Sequence, residues 1–556
     1  MTVITRRRFS QLALGASLAA CATPAVQSDI LIRGGPIYTG LDGLGQPALV
    51  EAVRIRGGRI VFAGAESDAR GAGARVIDLA GAAAYPGFVD SHMHLMGVGF
   101  SSLQLDLTGT PSIAALLEAL RAHAAAHPNG PIVGRGWIET HWPERRFPNR
   151  ADLDAVVSDR PVFLGRSDGH AAVANSAALA LAGIDASTPD PDGGRIERDA
   201  SGAATGMLID NAMPLVESRL PQPDEAMRRE ALRLGLRTYA TRGWAGLADM
   251  GVSPADIALY MQTADEGAFP IGANLYLNAA DAAFIFERGA HQHGAGRIHV
   301  RGVKLYADGA LGSRGAALLA PYADAPDSNG LLVTPPEQLR ALMAQAKAAR
   351  VQVATHAIGD RANRLVLDAY RDLFAGDLDA LRASRWRIEH AQVIEPSDIP
   401  RFGQMGVIAS MQPSHAISDL YFAPSRLGPD RLAGAYAWRS LITSGATIAA
   451  GSDAPVEKGD PLIEFYAAAY RHDLSGAAGE DWNLREAVSR QQALAMLTRN
   501  AAYATHQEAE RGTIEVGKRA DISAFSIDIM QAPIEAVPNA QAVLTMSDGE
   551  IAHSAL

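Results

Sequence analysis

Residues 82–94 read AAAYPGFVDSHMH. An apolar run passes through Pro86-Gly87 and stops at two histidines one residue apart, His92 and His94. In an extended strand alternate side chains share a face, so both imidazoles can aim at one ion. An isolated His-x-His is more often accidental than not, and its place at a strand end is what gives it weight. Four further runs carry a chemistry-bearing residue in the same way. They are HVRGVKLYADG (299–309, with Lys304), VQVATHAIGD (351–360, with His356), WRIEHAQ (386–392, with His390) and TIAAGSDAPV (447–456, with Asp453). Residues at the carboxyl ends of parallel barrel strands meet at one mouth, so ligands distant in sequence can share a site. Four histidines and a carboxylate there describe a divalent transition-metal site. Zinc suits it best, and iron, manganese, cobalt or nickel are tolerated.

Each residue also has a plainer reading. Taken singly, His356 and His390 fit hydrogen-bonded core histidines equally well. Asp453 can cap a helix, with Pro455 in the first turn. Lys304 can snorkel outward or pair with Asp308. Phe88, Val89 and Leu305 read as plain core. The metal reading rests on the set rather than on any member.

The middle of the chain alternates strands with helical patterns. Eight candidate strands stand out: YPGFVDSH, WAGLADMG, IGANLYLN, VRGVKLYA, VQVATH, WRIEH, GVIASMQ and TIAAGSD. PEQLRALMAQAKAA and ANRLVLDAYRDLF are examples of the helices between them. Eight strands with intervening helices is the count for a (β/α)8 TIM barrel over residues 86–507. The count leaves out PIVGRGW and PVFLGRSDG, assigned to a large insertion at about residues 100–240. Residues 29–85 and 508–556 are strand-rich with Gly-rich turns, which predicts a split β-sandwich domain formed by both termini. The fold class is therefore α/β.

A chain of 556 residues, 48% hydrophobic and 20% charged, can bury a large core. Its net charge of −11 and lack of a basic stripe speak against nucleic acid as a partner. Thr5-Arg6-Arg7-Arg8-Phe9 resembles a twin-arginine signal, and Leu12–Ala20 is too short to span a bilayer. Leu18-Ala19-Ala20-Cys21 resembles a lipoprotein processing site, so Cys21 is a candidate for lipidation and residues 1–28 read as signal and tether. The rival is ordinary cleavage after Ala22 or Ala25. Export to the periplasm or cell envelope, with membrane contact only through a lipid anchor, is the expectation. Cys21 is the only cysteine, so neither an internal disulfide nor a thiolate metal cluster can form. The barrel leaves surface for a homodimer.

YPGFVDSHMH, GVKLYADGALGSRGA, THAIGD, IEHAQ, GSDAPV, GTIEVGKRADI and the insertion text RSDGHAAVANSAAL together resemble the amidohydrolase superfamily. The likeness is to the branch that includes N-substituted formamide deformylases, amidohydrolase family 3, and runs from about Asp29 to the carboxyl terminus. The resemblance implies that His92, His94 and Asp453 bind one metal and His356 and His390 another. It further implies that Lys304, as N6-carboxylysine, bridges them and that Asp453 shuttles a proton. One or two ions are compatible with it.

A bound divalent ion lowers the pKa of water from about 15.7 to about 7. The reaction expected is hydrolysis of a C–N bond in a small-molecule substrate. An ester or lactone is the first alternative, and a non-catalytic surface lipoprotein acting as a binding scaffold is the second. In the insertion, His170 is the candidate for binding or polarising substrate, with Asp168 as orienting partner and Trp137 as a pocket wall. Gly309-Ala310-Leu311-Gly312-Ser313 lacks the ending of a phosphate loop. Gly165-Arg166-Ser167-Asp168-Gly169 fits a Gly-x-Ser-x-Gly elbow by pattern alone, and a serine nucleophile is the minor reading.

Overall fold

A computed structural model describes residues 29–41, 48–70, 73–479 and 482–556. The signal-like segment and Cys21 lie outside the described residues.

Eight parallel strands form the central sheet: β1 (Phe88–Met93), β2 (Trp244–Val252), β3 (Gly272–Leu277), β4 (Ile298–Tyr306), β5 (Gln352–Ala357), β6 (Arg387–His390), β7 (Ile408–Met411) and β8 (Ile448–Ala450). They pair in sequence order, each in parallel register with the next. Both faces of such a sheet are covered, which is why β3, β5, β6, β7 and β8 are buried at every position. The sheet closes through backbone bonds just past the strand ends. Asp453 N donates to His92 O at 2.6 Å, and His94 N to Ala454 O at 2.8 Å. Gly451 permits this approach, because a Cβ there would lie 2.4 Å from His92 N. This is the TIM-barrel, α/β architecture read from the sequence.

The helices between strands show why they form. Pro254–Asp265 begins on a Ser253 cap accepting from Asp256 N. Asp360–Leu373 buries Ala362, Val366, Leu367 and Tyr370, one stripe at helical spacing, against the barrel.

Between β1 and β2 the chain builds a separate six-stranded sheet. Its order is Gly194–Arg198, Ala204–Asp210, Ala171–Ala174, Val162–Arg166, Ile132–Trp137 and Leu105–Asp106. Helix Glu225–Arg242, capped by Asp224 and ended by Gly243 at φ 102°, returns the chain to β2.

Two further sheets come from the ends of the described chain. One holds Arg59–Gly64, Ala52–Arg56, Ile30–Arg33 and Arg75–Asp78. The other joins Leu49–Val50, Ile37–Tyr38 and Ala83–Pro86, in that order, to Ile522–Phe525, Ala542–Ser547 and Glu550–Ser554. Ile32, Ile55 and Leu79 meet Ala84, Ile522 and Leu544 in a core of their own, so the two sheets form a sandwich. Strand Ala83–Pro86 runs directly into β1, and Phe88 N donates to Ser523 Oγ at 2.9 Å across that junction.

Candidate metal centre

All six residues singled out by the strand-end pattern lie together at the carboxyl mouth of the barrel. His94 Nε2 is 3.2 Å and His92 Nε2 3.5 Å from Asp453 Oδ1. Lys304 Nζ is 3.1 Å from His92 Nε2. The ring of His390 lies 4.7 Å from that of His92 and 4.6 Å from that of His356. His390 and Asp453 are not in regular strand conformation, with φ of 72° and 57°. Their side chains are therefore freed from strand alternation and can turn over the mouth.

Neighbours fix which imidazole nitrogen is free. His92 Nδ1 faces Glu389 Oε2 at 2.6 Å, and His94 Nδ1 faces Met250 O at 2.8 Å. His390 Nδ1 faces Gln412 Oε1 at 2.8 Å. Each partner is an acceptor, so each Nδ1 donates and each Nε2 keeps its lone pair. Glu389 is clamped by Arg387, Nε to Oε1 at 2.5 Å and Nη2 to Oε2 at 2.9 Å. Burial favours the neutral acid, but Arg387 and the His92 hydrogen bond outweigh it and hold Glu389 down at about 2. Burial and then the Lys304 charge push His92 down to about 4. Burial also lowers Lys304, to about 8, against the opposing pull of Glu389 and Asp453. Burial followed by the charge of His170 drives His356 well below its ordinary value.

An inner cavity of about 370 Å³ is lined by His92, His94, Lys304, Tyr306, His356 and Asp453. A larger one of about 700 Å³ shares His170, His356, His390 and Asp453 and extends outward past Phe422, Ser418 and Glu457. Substrate-sized space therefore meets the cluster of candidate ligands directly.

Three sequence expectations need correction. Trp137 does not wall the pocket: it is fully buried in the insertion core beside Trp142, and its Nε1 donates to Leu164 O at 2.8 Å. Asp168 does not orient His170 through its ring: Asp168 accepts from Arg166 and from the His170 backbone N. The ring partner is Asp210, with Oδ1 2.6 Å from His170 Nδ1. Burial opposes a charge on His170, but Asp210, its hydrogen bond and Asp168 raise it to about 9. Lys304 does not pair with Asp308, whose carboxylate instead accepts from Ala317, Ile358 and Gly359 N. The glycines of the 309–315 block serve packing: a Cβ on Gly309 or Gly315 would lie 2.4 or 2.6 Å from Asp210 Oδ2. Ser167 Oγ donates to Val456 O at 2.9 Å, a backbone carbonyl and not a general base.

The profile of the Amidohydrolase family matches residues 75–553. The chain belongs to this family. This amidohydrolase is 36% identical over 460 residues to the putative amidohydrolase YtcJ of Bacillus subtilis (strain 168), covering 81% of this chain and 85% of that one. It is 30% identical over 519 residues to the N-substituted formamide deformylase of Arthrobacter pascens, covering 90% of this chain and 94% of that one. A crystal structure described as an uncharacterized metal-dependent hydrolase from Pyrococcus horikoshii OT3 superposes with a TM-score of 0.74. The two share 26% identity over 91% of this chain and 99% of that chain.

Sequence reasoning missed Glu389, Asp210, Gln412 and His415. Glu389 carried a signal, since Arg387 and Glu389 share a strand face inside the barrel and a buried pair of opposite charges needs a purpose. His415 follows β7 by a few residues, as expected of a mouth residue, whereas Asp210 closes a strand of the separate insertion sheet. Neither stood in a motif.

Proposed function

We propose that this amidohydrolase is a metal-dependent hydrolase of small-molecule C–N bonds, in an amide or an N-acyl or N-formyl amine. One observation carries the metal. The Nε2 lone pair of His94 points at the Asp453 carboxylate from 3.2 Å, and buried Oδ1 accepts no hydrogen bond from the described residues. Lone pair against anion is repulsive unless a cation lies between them. Neutral imidazole and carboxylate are the donor set such a cation takes. His92, His94 and Asp453 would hold one ion and His356 and His390 a second. Lys304 stands beside His92 with its amine brought to about 8. Addition of that amine to carbon dioxide, with loss of a proton, would give the N6-carboxylysine that joins both positions. A bound divalent ion supplies Lewis acidity and an acidified water, whose pKa falls from about 15.7 to about 7.

The chain's own residues do the rest. Asp453 takes a proton from the attacking water and delivers it to the leaving nitrogen. An amine leaves only once protonated, so a carboxylate beside the nucleophile favours C–N cleavage. His170, charged and held by Asp210, donates from Nε2 to the substrate carbonyl. The relationship to a formamide deformylase over 90% of the chain supports the same choice.

The test is elemental analysis of protein prepared with bicarbonate, followed by paired amide and ester substrates. Metal at one or two ions per chain and turnover of N-formyl or N-acyl amines are expected. His92→Ala should lose metal, and Asp453→Asn should lose about 10²–10⁴ in rate. Unchanged hydrolysis in both variants overturns the mechanism, and ester turnover alone changes the bond. Export and lipid attachment are proposed on residues 5–21 alone. Fatty-acid labelling that persists in Cys21→Ala would refute attachment there.

A further inference from the structure

We infer that His415 is a catalytic hydrogen-bond donor of this site and not a metal ligand. Its Nε2–H would face the oxygen that gains negative charge when the acyl carbon is attacked. The inference rests on the hydrolase reading above.

His415 lies in the turn of helix Pro413–Ser418 that follows β7, buried at the floor of the larger cavity. Its ring stacks on that of His390 at 5.9 Å. Nε2 is 3.6 Å from Asp453 Oδ2 and has no hydrogen-bond partner among the described residues. On distance alone, His390, His415 and Asp453 could hold a cation, their donor atoms all lying within 4.8 Å of one another. Coordination through Nε2 requires the ring proton to sit on Nδ1.

The neighbours forbid that. His415 Nδ1 faces Gln392 Nε2 at 3.1 Å. The amide could be turned the other way round, and Asp419 decides its orientation. Asp419 Oδ2 lies 3.3 Å from the same Gln392 Nε2 and also accepts from Tyr436 OH. A reversed amide would set its oxygen against a carboxylate. The amide nitrogen carries two hydrogens, one for Asp419 and one for His415 Nδ1. Nδ1 is therefore an acceptor, and the neutral ring keeps its proton on Nε2. A protonated Nε2 cannot bind a metal. It can donate, and it faces Asp453 Oδ2 across 3.6 Å, at the wall of the larger cavity that His415 lines. His170 lines the same cavity.

A carbonyl oxygen is a modest acceptor and an oxyanion a strong one. A donor fixed by Gln392 therefore acts mainly in the transition state. Removing one such donor costs about 10²–10³ in kcat.

The test uses the full-length holoenzyme. Nitrogen-15 histidine spectra, with the His415 signal identified by its loss in His415→Gln, read which nitrogen is protonated. Metal content and kinetics on N-benzylformamide are read for wild type, His415→Ala and His415→Gln. The expected results are a proton on Nε2 and unchanged metal content in both variants. For His415→Ala, kcat should fall by about 10²–10³ with little change in KM. His415→Gln, which returns an amide N–H near the Nε2 position, should recover part of the loss. A proton on Nδ1, metal lost with the side chain, or wild-type kcat in His415→Ala overturns the inference. Spectrum and metal content are read on the resting enzyme. They decide between donor and ligand even where N-benzylformamide is not hydrolysed, which would count against the hydrolase reading instead.

Discussion

Replacing Asp210 by asparagine separates the charge on His170 from its position. The Asp210→Asn side chain keeps an oxygen at the place of Oδ1, 2.6 Å from His170 Nδ1, but removes the anion. In the wild type His170 is raised from 6.5 to about 9, so the folded protein holds a proton that the unfolded chain releases across that range. At about 1.4 kcal/mol per tenfold, this corresponds to about 3 kcal/mol of stability. That stability is fully present below pH 6.5 and is lost as pH rises through about 9. Without the anion, burial keeps the ring neutral above 6.5 and the slope disappears. Urea unfolding of both proteins across this range should show a stability gap of up to about 3 kcal/mol that closes toward pH 9. The alkaline limb of kcat/KM should move down in the variant for the same reason. Parallel stability curves, or an unmoved limb, would refute the charged His170.

Glu389→Gln weakens the hold on the His92 tautomer, and chelator competition should show metal affinity falling by about 10–100-fold. Ser167→Ala should keep wild-type kcat/KM, because its hydroxyl is bonded to Val456 O at 2.9 Å. Gly451→Ala forces a Cβ to 2.4 Å from His92 N at the barrel seam, and denaturant unfolding should show a loss of about 1–3 kcal/mol.

Much of the fold was legible because periodicity is local. Buried parallel strands must be apolar on both faces, so VQVATH and GVIASMQ announce themselves. Leaving out PIVGRGW and PVFLGRSDG was a choice between equally strand-like texts. The structure pairs both in a sheet apart from the barrel. Trp137 shows the limit of such reading: Gly136 and Ile138 line the cavity, while the residue between them points into the core. Strand alternation would have allowed either choice.

The chain alone marked the candidate ligands, because the residues that can hold a divalent ion are few and each lies in or just past a recognisable strand. It determined neither the partners that set their chemistry nor the state of each ring. Glu389 reaches His92 across 297 positions and Asp210 reaches His170 across 40. Gln392 chooses the tautomer of His415 only because Asp419 first chooses the orientation of Gln392. Hydrogen bonds and charges act over a few ångströms of space, and no spacing along the chain encodes which groups folding will bring that close.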